Sequence, residues 1–353
     1  MAEKIKVLVV DDASFMVKAI SEILNSDPDI EVVGSAKNGK LALDQIKALK
    51  PDVITLDVDM PVMDGIKAVR HIMLGCPVPI VMLSSLFSNG AISFEALRLG
   101  VVDFLPKPSG AISQDIHNAK QQIIKRIKIA VSVNIHNIHR VKIQPTNESS
   151  ELDNYAFQNL DHLLLLGTTL GGPNTSIRLF SKLAPKLSTA AIIVQEISPK
   201  ILSAFVEEFD KYSAWNMREA VDGALLESGV CYIASNEYAI SLEVRENNEV
   251  FLKLVDAVEK PLNKLFSSAA HVFGENTIGV LLTGIGDDGS EGFLTIKEKL
   301  GVTIAQKSDT CVYPNLVECA VERGLVDRIV DEADLINDID MLINEHINDL
   351  SSS

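Results

Sequence analysis

The sequence predicts an α/β protein of two doubly wound parallel-sheet domains, the second carrying a small antiparallel hairpin. Short apolar runs alternate with segments of helical periodicity along nearly the whole chain, the βα pattern that builds parallel sheets covered on both faces. Length agrees, since 353 residues suffice for about two domains at roughly 150 residues each. Periodicity lapses between about Asn134 and Gln158, where Gln144-Pro145-Thr146-Asn147-Glu148-Ser149-Ser150-Glu151 has the polar, proline-bearing composition of a linker. The expected division is a first domain over 1–133, a linker over 134–159 and a second domain over 160–350.

The first domain opens on Lys4-Ile5-Lys6-Val7-Leu8-Val9-Val10-Asp11-Asp12, an apolar run that ends in two acids without a small-residue cleavage site. It reads as a buried strand. Further strands are expected at 32–33, 53–56, 80–83 and 104–105, with helices beginning near Ser14, Gly39, Gly65, Asn89 and Ser113. In the second domain, strands are expected at 163–166, 192–194, 231–233, 278–282, 302–305 and 325–330. The runs 238–244 and 250–254 alternate on either side of Glu246-Asn247-Asn248-Glu249, as a hairpin does.

Composition removes several classes of partner. With 32 basic and 48 acidic residues the net charge is −16, the wrong sign for nucleic acid or an anionic membrane. Aromatic residues are 5% and tryptophan occurs once, so base-stacking platforms are not expected. Cys76, Cys231, Cys311 and Cys319 show no CxxC spacing and no neighbouring histidine cluster, which argues against disulfides and zinc. A reducing, cytoplasmic location is the expectation. No apolar run approaches the roughly 18 to 20 residues of a bilayer span, so no membrane insertion is expected.

In doubly wound sheets ligands sit beyond the carboxyl ends of the strands. Asp11 and Asp12 end the first strand and Asp57 the third, an oxygen-rich negative pocket suited to Mg2+. Ser84 with Ser85 and Lys107 end two further strands and could hold phosphoryl oxygens. An aspartate that accepts a phosphoryl group needs a metal, an ammonium and a hydroxyl of this kind. Each residue alone also reads as a helix cap or a solvated side chain. Their concentration at the strand ends of one domain favours a site.

Through Val10-Asp11-Asp12, Leu56-Asp57-Val58-Asp59-Met60-Pro61-Val62-Met63-Asp64-Gly65, Ser84-Ser85 and Pro106-Lys107-Pro108, residues 4 to about 130 resemble the receiver domain of two-component response regulators. The resemblance implies a flavodoxin-like fold, Asp57 as phosphoacceptor and a histidine kinase as phosphoryl donor. It also implies Mg2+ held by Asp11, Asp12, Asp57 and the Asp59 main chain, Ser84 as switch hydroxyl, and Lys107 against the phosphoryl group before a cis Pro108. Phe104 stands at the aromatic switch position, and it reads equally as plain core. The segments Ser84-Ser85-Leu86 and Phe104-Leu105-Pro106-Lys107-Pro108-Ser109-Gly110 look like the receiver of CheB-type chemoreceptor methylesterases.

The second domain opens Leu163-Leu164-Leu165-Leu166-Gly167-Thr168-Thr169-Leu170-Gly171-Gly172-Pro173. A strand, a glycine-bounded turn and a helix start expose one side chain beside helix N–H groups, as in a nucleophile elbow. The plainer reading is a βα turn that needs glycines. Gly279-Val280-Leu281-Leu282-Thr283-Gly284-Ile285-Gly286-Asp287-Asp288-Gly289 is a second strand and glycine-rich turn, without the lysine of a P-loop. With Val194-Gln195, Ile304-Ala305-Gln306 and Cys311-Val312, the stretch from about 163 to 330 is similar to the CheB methylesterase domain. That family hydrolyses methyl-glutamyl esters, and deamidates some glutamines, on the cytoplasmic helices of chemoreceptors through a Ser, His and Asp triad.

The triad positions fall here on Thr169, Glu196 and Asp288. Threonine keeps a hydroxyl but adds a methyl group, and threonine nucleophiles usually rely on a special base. Glu196 is the graver exchange, because a carboxylate of pKa about 4.3 is a poor base toward a hydroxyl. Losing a triad member removes roughly four to six orders of magnitude in rate. Cleft positions depart from the family also at Ser235-Asn236-Glu237-Tyr238, Pro261-Leu262-Asn263-Lys264 and Asn315-Leu316-Val317. His162, His271, His136 and His139 offer no obvious replacement base. The sequence therefore leads to a phosphorylatable regulator whose effector domain acts by binding or by competing for phosphoryl groups, in which phosphorylation of Asp57 alters the interdomain contact. An active protein-glutamate methylesterase/glutamine deamidase is the alternative.

Overall fold

The computed structural model describes residues 3–84, 90–108, 114–143, 145, 160–185, 188–255 and 259–351. They form two compact units, Met1–Val141 and Lys142–Ser353.

The first unit alternates β1 (Ile5–Val10), α1 (Ser14–Asn25), β2 (Ile30–Ala36), α2 (Gly39–Leu49), β3 (Val53–Leu56), α3 (Gly65–Gly75), β4 (Ile80–Ser84), α4 (Gly90–Leu99), β5 (Asp103–Pro106) and α5 (Gln114–Val131). The five strands are parallel in the order β2-β1-β3-β4-β5. Strand order reverses between β1 and β3, which makes their carboxyl ends the expected ligand position. Val7 to Val10 and Val53 to Leu56 are buried without alternation, as both faces of the sheet are covered. Leu8, Leu56, Met82, Ala68, Val69 and Ile72 share one core. Helix α2 starts where the Asn38 side chain accepts from Leu41 N–H, and α3 where Asp64 accepts from Lys67 N–H. The predicted starts of α4 near Asn89 and α5 near Ser113 lie outside the described residues.

Beyond α5 the chain turns through a short 3-10 helix, Ile135–Asn137, and Ile138 and Val141 are buried. Arg98 Nη1 donates to Val141 O at 2.6 Å, and Val141 N–H donates to Arg98 O at 3.0 Å. The beginning of the stretch that reads as linker is thus folded onto the first unit.

The second unit comprises β6 (His162–Gly167), α6 (Gly172–Phe180), β7 (Thr189–Gln195), α7 (Pro199–Asp210), β8 (Asn216–Glu219), β9 (Val230–Ser235), β10 (Ala239–Val244), β11 (Val250–Val255), α8 (Pro261–Phe273), β12 (Thr277–Leu281), α9 (Ser290–Glu298), β13 (Val302–Gln306), α10 (Asn315–Glu322), β14 (Arg328–Val330) and α11 (Leu335–Ser351). Seven parallel strands stand in the order β14-β13-β12-β6-β7-β9-β8. Strands β10 and β11 form the expected antiparallel hairpin, with Leu242 opposite Leu252. Strand β8 escapes sequence reading because Asn-Met-Arg-Glu is a polar edge segment in which only Met217 is buried. Order reverses between β6 and β12, so both glycine-rich turns emerge at the reversal. On one side of the sheet Phe266 stacks on Phe293 at 5.5 Å. Elsewhere in this unit the buried Trp215 tilts against Phe180 at 5.7 Å. Among the described residues no helix is long and apolar enough to cross a membrane.

Candidate functional site

Two sites form, one in each unit, and both lie where strand order reverses. In the first unit, adjacent β1 and β3 deliver Asp11 and Asp57 to one edge, where both are buried. Lys107 Nζ lies 2.7 Å from Asp11 Oδ2 and 2.9 Å from Asp57 Oδ2. Its backbone is fixed by Lys107 N–H donating to Ser84 O at 3.0 Å, a continuation of the β4–β5 pairing. Ala13 N–H donates to Asp11 Oδ1 at 2.9 Å and Val58 N–H to Asp57 Oδ1 at 2.7 Å, which orients both carboxylates. Asp12 and Asp59 are exposed. One oxygen from each of Asp11, Asp12 and Asp57 lies within 4.8 Å of the others. That all-oxygen set fits a hard divalent cation.

Burial raises the Asp57 carboxyl above the ordinary aspartate value, Lys107 opposes that rise, and Asp11 adds to it. Burial pulls the Lys107 ammonium down, but Asp11 and Asp57 outweigh it and hold the group above the usual lysine value. A buried carboxylate with an ammonium beside it and two further carboxylates close enough to share a cation is equipped to attack a phosphoryl group. Gly65 closes the floor: its N–H donates to Val58 O at 2.8 Å, and a Cβ there would stand 2.1 Å from Asp57 O. Ser84 is buried at the end of β4, and Phe104 belongs to the core. Ser85 lies outside the described residues. One expectation is corrected, because among the described residues no peptide bond is cis and Lys107–Pro108 is trans. The trans form is favoured by about 0.5–1 kcal/mol, and Lys107 reaches both carboxylates from it.

In the second unit, the turn after β6 and the loop after β12 meet. Thr168 Oγ1 donates to Thr283 O at 2.5 Å. Thr169 Oγ1 accepts from Ile285 N–H at 2.7 Å and donates to Ile285 O at 3.1 Å. Gly284 is required beneath it, since a Cβ there would stand 2.5 Å from Thr169 Oγ1. Asp288 serves a helix start: Oδ2 accepts from Leu262 N–H at 2.8 Å and Oδ1 from Asn263 N–H at 2.9 Å. It caps α8, whose own capping position is Lys260 without a side-chain bond. Burial raises the Asp288 carboxyl, and the N–H groups of Leu262, Asn263 and Gly289 oppose the rise. Asn263 Oδ1 returns the contact by accepting from Gly289 and Gly292 N–H, both at 2.9 Å. Glu196, half-buried, follows β7 directly.

Sequence reasoning missed how the rest of this edge is braced. Gln306 Oε1 accepts from Thr283 N–H at 2.9 Å, and Gln306 Nε2 reaches Glu332 at 3.2 Å. Glu332 pairs with buried Arg178 at 2.7 Å. The available signal was Arg178 itself, a lone cation amid Ile177, Leu179 and Phe180.

A five-stranded parallel sheet with an acid cluster and a lysine at its reversal is thus followed by a seven-stranded parallel sheet whose two glycine-rich turns meet at its own reversal. Residues 7–119 match the response regulator receiver domain, and residues 164–339 match the CheB methylesterase family. A protein-glutamate methylesterase/protein-glutamine glutaminase of Pyrococcus horikoshii is 35% identical over 94% of this chain and 91% of its own length. The protein of that name from Methanococcus maripaludis is 36% identical over 94% of this chain and 96% of its own. Among solved structures, the response regulator domain of Thermotoga maritima CheB is 44% identical, covering 37% of this chain and 99% of that one at a TM-score of 0.35. The CheB methylesterase catalytic domain of the same organism is 26% identical over 51% and 98%, at a TM-score of 0.47. The chain belongs to the CheB family, a receiver domain joined to a methylesterase domain.

Proposed function

We propose that this chain is a chemosensory response regulator, phosphorylated on Asp57 by a histidine kinase, whose effector domain acts by binding chemoreceptor helices or the kinase, or by drawing off phosphoryl groups, with little or no ester hydrolysis. Phosphoryl transfer follows from the receiver site. An Asp57 carboxylate oxygen attacks phosphorus, the bond from phosphorus to the kinase histidine breaks, and its electron pair returns to the imidazole nitrogen. Lys107 balances the charge on the phosphoryl oxygens, and the Ser84 hydroxyl stands ready at the end of β4 for the product. Mg2+, when held by Asp11, Asp12, Asp57 and the Asp59 main chain, supplies a further positive charge to those oxygens.

The Thr169 hydroxyl carries the other half of the proposal. Its hydrogen bonds go in both directions to Ile285 main chain, and the Asp288 carboxylate is engaged with the first amides of α8. A hydroxyl nucleophile needs a base at about 2.6–3.2 Å and a third group that orients the base. Here the hydroxyl and the would-be orienting carboxylate are both committed to main chain, and Glu196 is chemically a weak base toward a hydroxyl. The test is methanol release from methyl-labelled chemoreceptor in the presence of a small acyl phosphate. No release above background is expected; turnover that Thr169→Ala abolishes would overturn the reading. The names of the full-length relatives favour a second reading, an active methylesterase/glutaminase using Thr169 and Glu196. It requires a pH–rate profile governed by a group titrating between about pH 5 and 8.

A further inference from the structure

Every backbone donor from Leu282 to Gly286 is occupied by another part of the same chain. Leu282 N–H donates to Gly167 O at 3.0 Å and Gly284 N–H to Tyr313 O at 2.8 Å. Thr283 N–H donates to Gln306 Oε1 at 2.9 Å. The next two are taken by side chains: Ile285 N–H by Thr169 Oγ1 and Gly286 N–H by Asn315 Oδ1, both at 2.7 Å. Gly286 itself is exposed, at φ +105°, with nothing within 4 Å of a Cβ position. Access to solvent therefore does not explain why its donor is occupied.

Asn315 is held where it stands. It is the first residue of α10, and its neighbour Leu316 N–H donates to Gly284 O at 2.9 Å, so the two loops are laced together. Its amide nitrogen lies 3.6 Å from Cys319 Sγ, one turn along the helix. Only the amide oxygen can accept from an N–H, which fixes the orientation toward Gly286.

Acyl transfer needs N–H groups beside the nucleophile aimed at the oxygen that becomes negative, and loss of one such donor costs about 10²–10³ in rate. We infer that Asn315 is a silencing residue: with the Thr169 hydroxyl it fills the loop donors that would otherwise receive a substrate carbonyl oxygen. The inference rests on the proposed lack of esterase activity and deepens it. Reverting the two altered triad positions is then insufficient, because the donor at Gly286 stays occupied.

The test uses the full chain in five forms: wild type, Asn315→Gly, Asn315→Asp, Thr169→Ser with Glu196→His, and that pair with Asn315→Gly. Amide hydrogen exchange at Gly286 is expected to quicken at least about tenfold in Asn315→Gly, and to stay slow in Asn315→Asp, which keeps an acceptor. Methanol release from methyl-labelled chemoreceptor is expected to be about 10²-fold faster in the triple variant than in the double. Equal Gly286 exchange in wild type and Asn315→Gly, or a triple variant no faster than the double, overturns the inference. Thr169-dependent release by the wild type overturns instead the functional reading on which it rests.

Discussion

Gly65→Ala is the sharpest perturbation of the receiver site, because the new atom would meet main chain. A Cβ at this position would stand 2.1 Å from Asp57 O, more than 1 Å inside ordinary contact distance, and 3.0 Å from Val58 Cα. Asp57 O is main chain of a buried residue directly after the buried strand β3, so the α3 start must move instead. Overpacking of this kind costs about 1–3 kcal/mol, and stretching the 2.8 Å bond from Gly65 N–H to Val58 O costs about 1 kcal/mol more. The sum, about 2–4 kcal/mol, corresponds to a lowering of roughly 6–12 °C in the melting midpoint of a unit of this size. Calorimetry of the full chain measures it, and the rate of Asp57 phosphorylation by a small acyl phosphate should fall in parallel. Gly75→Ala is the matched control, since nothing lies within 4 Å of its Cβ position at the last residue of α3. It should be neutral or stabilising by up to about 1 kcal/mol. A Gly65→Ala protein that melts with the wild type, or a Gly75→Ala protein that falls as far, would refute the steric argument.

Three further outcomes are expected. Asp57→Asn, or removal of divalent cations by a chelator, should abolish the phosphoprotein band formed with an acyl phosphate; a persistent band would place the acceptor elsewhere. Asn263→Ala leaves the buried N–H groups of Gly289 and Gly292 without their acceptor, at about 2–6 kcal/mol for the pair; an unchanged melting midpoint of the second unit would show that the loop has other partners. Burial raises the Asp327 carboxyl, but Lys297 and Thr303 outweigh it and hold it below the ordinary value of 3.8. A depressed folded-state pKa contributes stability that is present above about pH 4 and lost as pH falls through the lower folded value. Asp327→Asn should therefore reduce the difference in stability between pH 7 and pH 3, and an undiminished difference would assign the acid sensitivity to other carboxylates.

The receiver site was legible because a parallel strand delivers the residue after it to the sheet edge whatever the rest of the domain does. Asp11, Asp57 and Lys107 could be placed together from strand ends alone, and the 2.7 and 2.9 Å contacts follow from the β1–β3 and β4–β5 neighbours. The isomer of Lys107–Pro108 was not legible, since the two forms of an X–Pro bond differ by only about 0.5–1 kcal/mol. In the second unit the glycine turns after β6 and β12 were visible in sequence, but their meeting depends on β12 lying beside β6, a pairing across more than a hundred residues. The roles of Asp288 and Asn263 were hidden for a related reason. Each hydrogen-bonds main-chain amides of the other's segment, and an amide carries no mark in a sequence. Strand β8 was missed because a polar edge strand has no periodic signal to give.

Trp215 is the only tryptophan of the chain, buried against Phe180 in the second unit. All five tyrosines, Tyr155, Tyr212, Tyr232, Tyr238 and Tyr313, also follow residue 141, which leaves phenylalanine as the one aromatic type in the first unit. Tryptophan fluorescence therefore belongs wholly to the effector domain. The receiver contributes nothing to that emission, so any change in it on phosphorylation of Asp57 is a signal that has reached the effector domain, read without an attached label.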